Sequence, residues 1–270
     1  MRIRAAGGLS VEALASSWQA QLALEFERDG RRTVLARRAS DGPLVVQKPL
    51  YPEGEEVCHA IVVHPPGGIA GGDELSLEVN AAGHALLTTP GAAKWYRSAG
   101  PWARQSLDFA VAGTLEWLPR ETIVFDGALG ELKTDVQLGL HGRFIGWEVV
   151  CLGRAGFRKG KLRLETSIRR ERELLWLERG TLEAGGKLMT SAAGLAGCRV
   201  FGTLVAAPAP VELLKECRRI AATTVLPGLV VARYLGDSTE EAFATFMRLW
   251  AVLRPAVAGR EAAAPRIWST

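Results

Sequence analysis

The sequence predicts a mainly β fold. Three observations carry that prediction: period-two alternation of apolar and polar residues recurs in short runs, glycine-containing turns separate most runs, and helical patterns of about ten residues are missing between most of them. The cleanest run is Lys161 to Arg169, which puts Leu162, Leu164 and Ile168 on one face and charged residues on the other. That is the pattern of a half-buried strand.

In chain order, strand-like runs are expected at Leu22 to Phe26, Val57 to Val63, Leu75 to Val79, Leu107 to Val111, Ile123 to Phe125, Leu132 to Leu140 and Phe144 to Val150. After Lys161 to Arg169 they continue at Leu174 to Leu177, Val200 to Val205 and Leu229 to Tyr234. No fixed-period repeat emerges when these runs are aligned, so periodicity alone does not establish a solenoid.

Two helices are expected towards the C-terminus. The first covers about Val211 to Ala221, with Leu213, Leu214, Cys217 and Ile220 turned inward. The second starts at Ser238-Thr239-Glu240-Glu241, a capping box, and carries the stripe Phe243, Phe246, Met247, Trp250 and Leu253. Pro255 is expected to stop it, because proline lacks an N–H and its ring clashes with the preceding turn. A tail of small residues then leads to Arg266-Ile267-Trp268, and the terminal tryptophan suggests that the tail is docked. With no Pro, Gly and Ser-rich linker to divide it, the chain reads as one domain, residues 1–270.

Composition narrows the class. The 270 residues are 48% hydrophobic and 23% charged, enough for a large core and unlike a disordered or collagen-like chain. The net charge of +4 is slight, and acidic residues are mixed among the basic ones, which argues against a nucleic-acid binder. The cluster Arg154, Arg158, Lys159, Lys161, Arg163, Arg169, Arg170 and Arg172 is interleaved with Glu165, Glu171 and Glu173 and reads as a solvated face. No apolar run approaches the length of about 18 residues needed to span a membrane. Glu12 interrupts the N-terminus before a signal-peptide core forms, so a cytoplasmic protein is expected. Cys58, Cys151, Cys198 and Cys217 form no C-x-x-C pair and are expected to be reduced and mostly buried.

The sharpest local feature is His64-Pro65-Pro66-Gly67-Gly68-Ile69-Ala70-Gly71-Gly72-Asp73. Its glycines permit positive φ and close backbone approach, so it is a strongly shaped loop. It lacks G-x-G-x-x-G spacing and precedes a strand, which excludes a dinucleotide fingerprint. It serves either as a tight connection held by Asp73 or as an anion- or metal-facing loop. Alternation sends Cys58 and His64 to one side of the preceding strand and His59 to the other, so these residues do not share a metal on a straight strand.

In the second shaped segment, Thr88 to Ser98, Lys94, Tyr96 and Arg97 put polar tips on an apolar base, as either a contact for a partner or an anion or an amphipathic surface segment without function. No Walker A loop and no G-x-S-x-G elbow occur. Glu148 and Glu178 lie in apolar surroundings, either on the wet face of a strand or lining an internal polar cavity. A β-rich carbohydrate-active hydrolase is the alternative from another class, with Asp126, Glu148 and Glu178 as its paired carboxylates.

Several segments in order resemble the urease accessory protein D family (UreD, also called UreH). They are Gly42-Pro43-Leu44, Gln47 to Glu53, Cys58-His59, the His64 to Asp73 loop and Thr88 to Ser98, then Leu115 to Glu121, Gly146-Trp147-Glu148 and Leu152-Gly153-Arg154. Arg233 to Gly236, Arg254-Pro255 and Pro265 to Trp268 complete the series across nearly the whole chain. Arg120 stands where the family often has glutamine, and Trp95-Tyr96-Arg97 where it often has Phe-Tyr-Arg.

The resemblance implies a coiled, β-helix-like architecture with a few helices and a non-catalytic maturation factor. Its partners would be apo-urease, the helical protein UreF and the GTPase UreG, with energy drawn from the GTPase. It implies no tightly bound cofactor and nickel(II) only in transit, through an internal water-filled passage. Isolated carboxylates and imidazoles suit transit, since a full ligand set would trap the ion. His64, Asp73, Glu148 and Glu178 are the expected stations. Lys94, Tyr96, Arg97, Trp250, Arg266 and Trp268 are the expected partner-facing residues, with both C-terminal helices and the tail as contacts for UreF.

Overall fold

The computed structural model describes residues 17–153 and 156–269. The expected N-terminal residues up to Glu12, and Arg154 of the basic cluster, lie outside them. The chain enters through β1 (Gln19–Asp29), β2 (Arg32–Asp41) and β3 (Val45–Val46) and then coils. Its first coil is β4 (Val57–Val63) and β5 (Glu74–Ala81). The second is β6 (His84–Thr88), β7 (Ala93–Trp95) and β8 (Ala103–Val111). The third is β9 (Thr114–Trp117), β10 (Thr122–Val124) and β11 (Leu129–Leu138). The fourth is β12 (Arg143–Leu152) and β13 (Lys161–Arg170).

β14 (Glu173–Glu183) turns back on β13. The one-turn α1 (Lys187–Thr190), β15 (Val200–Ala207), α2 (Leu214–Ile220), β16 (Ala222–Leu226), β17 (Leu229–Gly236) and α3 (Thr239–Ala258) follow. Two sheets result, ordered β14-β13-β11-β8-β5-β1-β2 and β16-β17-β15-β12-β9-β6-β4-β3, with β7 and β10 joined to the second through β12.

Within the coils the pairing is parallel in both sheets. Parallel neighbours need a long crossover, and here the strand of the opposite sheet supplies it in place of a helix. Registered residues along the second sheet are Val57, His84, Thr114 and Arg143, giving coils of 27, 30 and 29 residues. That irregularity is why no fixed-period repeat shows in the sequence.

The interior between the sheets is apolar, from Leu22, Leu24 and Phe26 at one end to Leu162 and Ile168 at the other. The outer face of the first sheet is charged. There Glu74, Arg104, Glu131 and Arg163 alternate in sign across four adjacent strands, and the Arg163 guanidinium lies 4.1 Å from the centre of the Trp102 ring. The basic residues of this region are therefore largely matched by acidic neighbours.

The outer face of the second sheet is covered by α2 and α3. Phe246, Leu249, Trp250, Leu253 and Val257 are fully buried there against Ile145, Trp147, Leu204 and Val230, each side chain contributing about 1.5–3 kcal/mol. Sandwiched on both sides, β4 and β12 are buried almost throughout instead of alternating.

Three expectations about α3 need amendment. Ser238 does cap it, accepting from the Glu241 N–H at 3.1 Å, but the Glu241 carboxylate accepts from the Tyr234 hydroxyl instead of completing the box. Pro255 does not end it. Proline removes one hydrogen bond in the last turn, the helix runs to Ala258, and Gly259 in the left-handed conformation closes it with its N–H on the Pro255 carbonyl. Trp250, expected to face a partner, is 1% exposed, and its indole N–H donates to Glu116 at 2.6 Å.

The docking of α3 centres on Arg254, which is wholly buried. Its guanidinium donates to Glu116 at 3.0 and 3.1 Å, to Glu53 at 2.6 and 2.8 Å, and to the Glu261 carbonyl at 2.5 Å. His84 pairs with Glu116 and His59 with Glu53, each at 2.7 Å. Burial alone would raise the Glu53 carboxyl, but its bonds from His59 and Arg254 outweigh that and hold it at about 2. Three of the four cysteines, Cys58, Cys151 and Cys217, are buried, and among the described residues none forms a disulfide. Among the described residues, no helix is long and apolar enough to cross a membrane.

Two outcomes follow for stability. Arg254→Ala leaves two buried carboxylates without their shared guanidinium, held only by His59 and by His84 and Trp250, and lowers unfolding free energy by about 3–5 kcal/mol in urea titrations. The stabilisation from ionised Glu53 is fully present above its unfolded value near 4.5 and is lost as pH falls towards about 2. Glu53→Gln should therefore flatten the acid limb of the stability curve over that window.

Candidate functional site

The coils enclose a cavity of about 790 Å³ whose lining is drawn from every coil. His64, Gly67 and Gly68 line it at the first coil. Trp176, Glu178, Arg233 and Leu235 line it where the sheets end in β14 and β17. From β5 to β14 there are four strand spacings, so at about 4.8 Å each the interior extends roughly 19 Å along the solenoid axis.

Strand register explains how polar groups come to line an otherwise apolar interior. On the first sheet one inward row reads Leu77, Leu107, Thr134, Thr166 and Glu178 across five adjacent strands. It changes from leucine to hydroxyl to carboxylate in successive strands. On the second sheet Glu148, Thr203 and Arg233 form a row across β12, β15 and β17. All of these except Leu77 and Leu107 are polar, and all lie in the cavity lining. The two rows together form a hydrophilic stretch at the β14 end.

Within that stretch the carboxylates differ. Burial, reinforced by the Glu178 charge, pushes the Glu148 carboxyl up to about 7. Glu178 is tied to Arg233 at 2.8 Å. Arg233 also donates to the Thr203 hydroxyl at 2.8 Å. With a value near 7, Glu148 is only about half ionised at neutral pH, and beside it Glu178 is neutralised by Arg233.

His64 sits at the other end of the lining. Its Nε2 is buried with no hydrogen-bond partner, and burial lowers its pKa despite the pull of the Asp73 charge. Of the four expected stations, His64, Glu148 and Glu178 lie in the wall of this one cavity.

Asp73 is placed differently. It is buried outside the cavity lining, and its two carboxylate oxygens accept from the Trp18 and Ala70 backbone N–H groups at 2.8 and 2.7 Å. Its oxygens are used to shape the loop, which matches the tight-connection reading and not a station in the passage. The same loop needs Gly68, where a Cβ would lie 2.1 Å from the Tyr96 ring. Asp126, a carboxylate of the hydrolase alternative, accepts from the Arg158 and Lys159 N–H groups at 2.7 Å and is absent from the lining that holds Glu148 and Glu178.

The expected partner-facing residues also separate. Lys94 lines the cavity and is exposed. Tyr96 is half exposed and stacks on Phe125 at 5.3 Å, and the exposed Arg97 packs over Gly127. Arg266 is exposed. Trp268 docks the tail, donating to Thr88 at 2.9 Å and packing on Phe243, Trp147 and Trp250.

Thr134, Thr166 and Thr203 were missed by sequence reasoning, and Arg233 was named only within a segment of the family resemblance and not as a site residue. Only strand register reveals them, because each is an ordinary member of an alternating run. Among the described residues no group of three or more His, Cys, Asp or Glu side chains is arranged to hold a metal. The site offers two carboxylates, hydroxyls and a remote imidazole, which can contact a cation but do not enclose it.

Comparison with known proteins adds a family. A model described as UreD urease accessory protein matches residues 19–269. The urease accessory protein UreD of an Azoarcus species is 52% identical, with 97% of each chain covered. That of Dechloromonas aromatica is 49% identical over 94% of this chain and 95% of its own. That of Pseudomonas aeruginosa is 48% identical over 94% and 96%.

The raised Glu148 has a measurable consequence. Its folded value near 7 lies above the unfolded value of 4.5, so the folded state loses stability as pH rises between them, and the cost is fully present above pH 7. Glu148→Gln removes that cost. The variant should be more stable than the parent by about 3 kcal/mol at pH 8, with no such advantage at pH 4, in urea titrations at the two pH values.

Proposed function

The chain belongs to the UreD family of urease accessory proteins, and from that premise we propose that it receives nickel(II) in the cytoplasm and passes it through its axial cavity to apo-urease. It works as an accessory protein and not as an enzyme. In this reading it acts in a complex with UreF and the GTPase UreG, and hydrolysis of GTP belongs to the latter.

The observation that carries the reading is the pair of facing rows, Thr134, Thr166 and Glu178 on one sheet and Glu148, Thr203 and Arg233 on the other, set in a cavity that extends along the solenoid. A nickel ion brings a strong preference for water, nitrogen and oxygen ligands, and a dry apolar channel would repel it. One or two protein oxygens at a time, completed by water, let it dwell and leave. Glu148, Glu178 and His64 are the stations in this account.

The outward side of α2 and α3, with Arg266 at the tail, is the surface assigned to UreF. Trp250 and Trp268 support that surface from beneath by fixing the helix and the tail on the sheet. Lys94, Tyr96 and Arg97 are assigned to a second contact, at the flank of the cavity.

Co-expression with apo-urease and the other accessory proteins tests the proposal. Leaving out this chain should abolish nickel loading. Glu148→Gln combined with Glu178→Gln should sharply lower urease nickel content, measured by metal analysis, while the complex still co-purifies. Full loading without the chain, or with both carboxylates replaced, would count against it.

A further inference from the structure

Among the described residues, Arg233 is the one cation that reaches across the polar end of the cavity to a carboxylate on the other sheet. It projects from β17 of the second sheet and meets Glu178 of β14, the edge strand of the first. Its Nη1 lies 2.8 and 2.9 Å from the two Glu178 oxygens and 2.8 Å from Thr203 Oγ1, and its guanidinium carbon lies 5.6 Å from the centre of the Trp176 ring. The pair therefore fastens the two sheets together where the interior opens past their last coil.

We propose that Arg233 is an electrostatic gate on this end of the passage: its guanidinium holds the Glu178 carboxylate that a divalent cation needs, and the cation passes only when the pair separates. The proposal rests on the reading that nickel moves through the cavity. It adds how one end of that route is regulated.

Three features support it. Guanidinium and metal ion compete for the same oxygens and repel each other at short range, so the paired and the metal-bound states exclude one another. The pair is half exposed, at 45% and 40% for the two side chains, so separating it costs little and the arginine can swing into water. By contrast, Arg254 is fully buried between two carboxylates and cannot serve as a movable element. Thr203 on the same row as Glu148 returns Arg233 to the closed position once the ion has gone. A ligand that binds only the open state shifts the population by its differential affinity, which is what a gate requires.

Calorimetric titration of the full chain with nickel chloride at pH 7.5 tests this, with circular dichroism confirming the fold of each variant. Arg233→Met should tighten nickel binding about three- to fivefold by releasing Glu178. Arg233→Lys, which keeps a charge that can pair with Glu178, should stay close to the parent. Glu178→Gln should weaken binding, and adding Arg233→Met to Glu178→Gln should give no further gain. Unchanged affinity in Arg233→Met, with Glu178→Gln still weakened, would overturn the gate and leave the passage standing. A gain from Arg233→Met that persists without Glu178 would also overturn it, since the arginine would then act only through its overall field. No effect from Glu178→Gln or from Glu148→Gln would remove the passage itself.

Discussion

The structure depends on Arg254. A guanidinium with no exposure is stable only if its charge and donors are satisfied, and here that takes two carboxylates and a backbone carbonyl. Those partners come from far apart: Glu53 precedes β4, Glu116 lies on β9, and Glu261 follows α3. The histidines extend the network to β4 and β6. Packing would favour many placements of an apolar helix on an apolar sheet. The charge network permits one.

That single placement has consequences on both sides of the sheet. With α3 fixed, the second sheet is buried on its outer face, and β12 holds Glu148 towards the interior while Trp147 beside it points to the helix and tail. The tail closes over the same aromatic group through Trp268. On the inner face, coil-to-coil register then stacks like positions into rows. A row of Thr134 and Thr166 becomes possible because parallel strands repeat the same inward phase from coil to coil, and the antiparallel register of β14 on β13 adds Glu178 to it, so a polar track forms without disturbing Leu132 and Leu164 two residues away on the same face.

Much of this was legible in the sequence. Strand runs such as Lys161 to Arg169, the cap at Ser238 and the docked tail ending in Trp268 all express local rules: period-two alternation, an N-cap oxygen, and a large apolar side chain that needs cover. The relation between strands was not legible. Coils of 27, 30 and 29 residues leave no repeat to detect, and parallel pairing through the opposite sheet depends on contacts far apart in the chain. Pro255 misled because one lost hydrogen bond near a helix end is tolerable when Val257 and Ala258 beyond it are buried. Glu116 looked like any polar residue of an alternating strand, and its partner Arg254 lies 138 positions away. Asp73 was visible as a special residue in a special loop, but that its oxygens accept from the Trp18 and Ala70 backbone N–H groups depends on how the loop folds back.

The central claim is that the cavity is a route, and a block at its middle tests this most directly. Thr166 faces the interior between Thr134 and Glu178, so Thr166→Trp fills the polar stretch while leaving the Arg254 network and the outward faces of α2 and α3 untouched. The measurement is the rate at which nickel appears in apo-urease bound to the complex carrying this variant. A complex that assembles normally and delivers nickel only at the background rate is the predicted result. Delivery at the parental rate from an equally assembled complex would contradict the account.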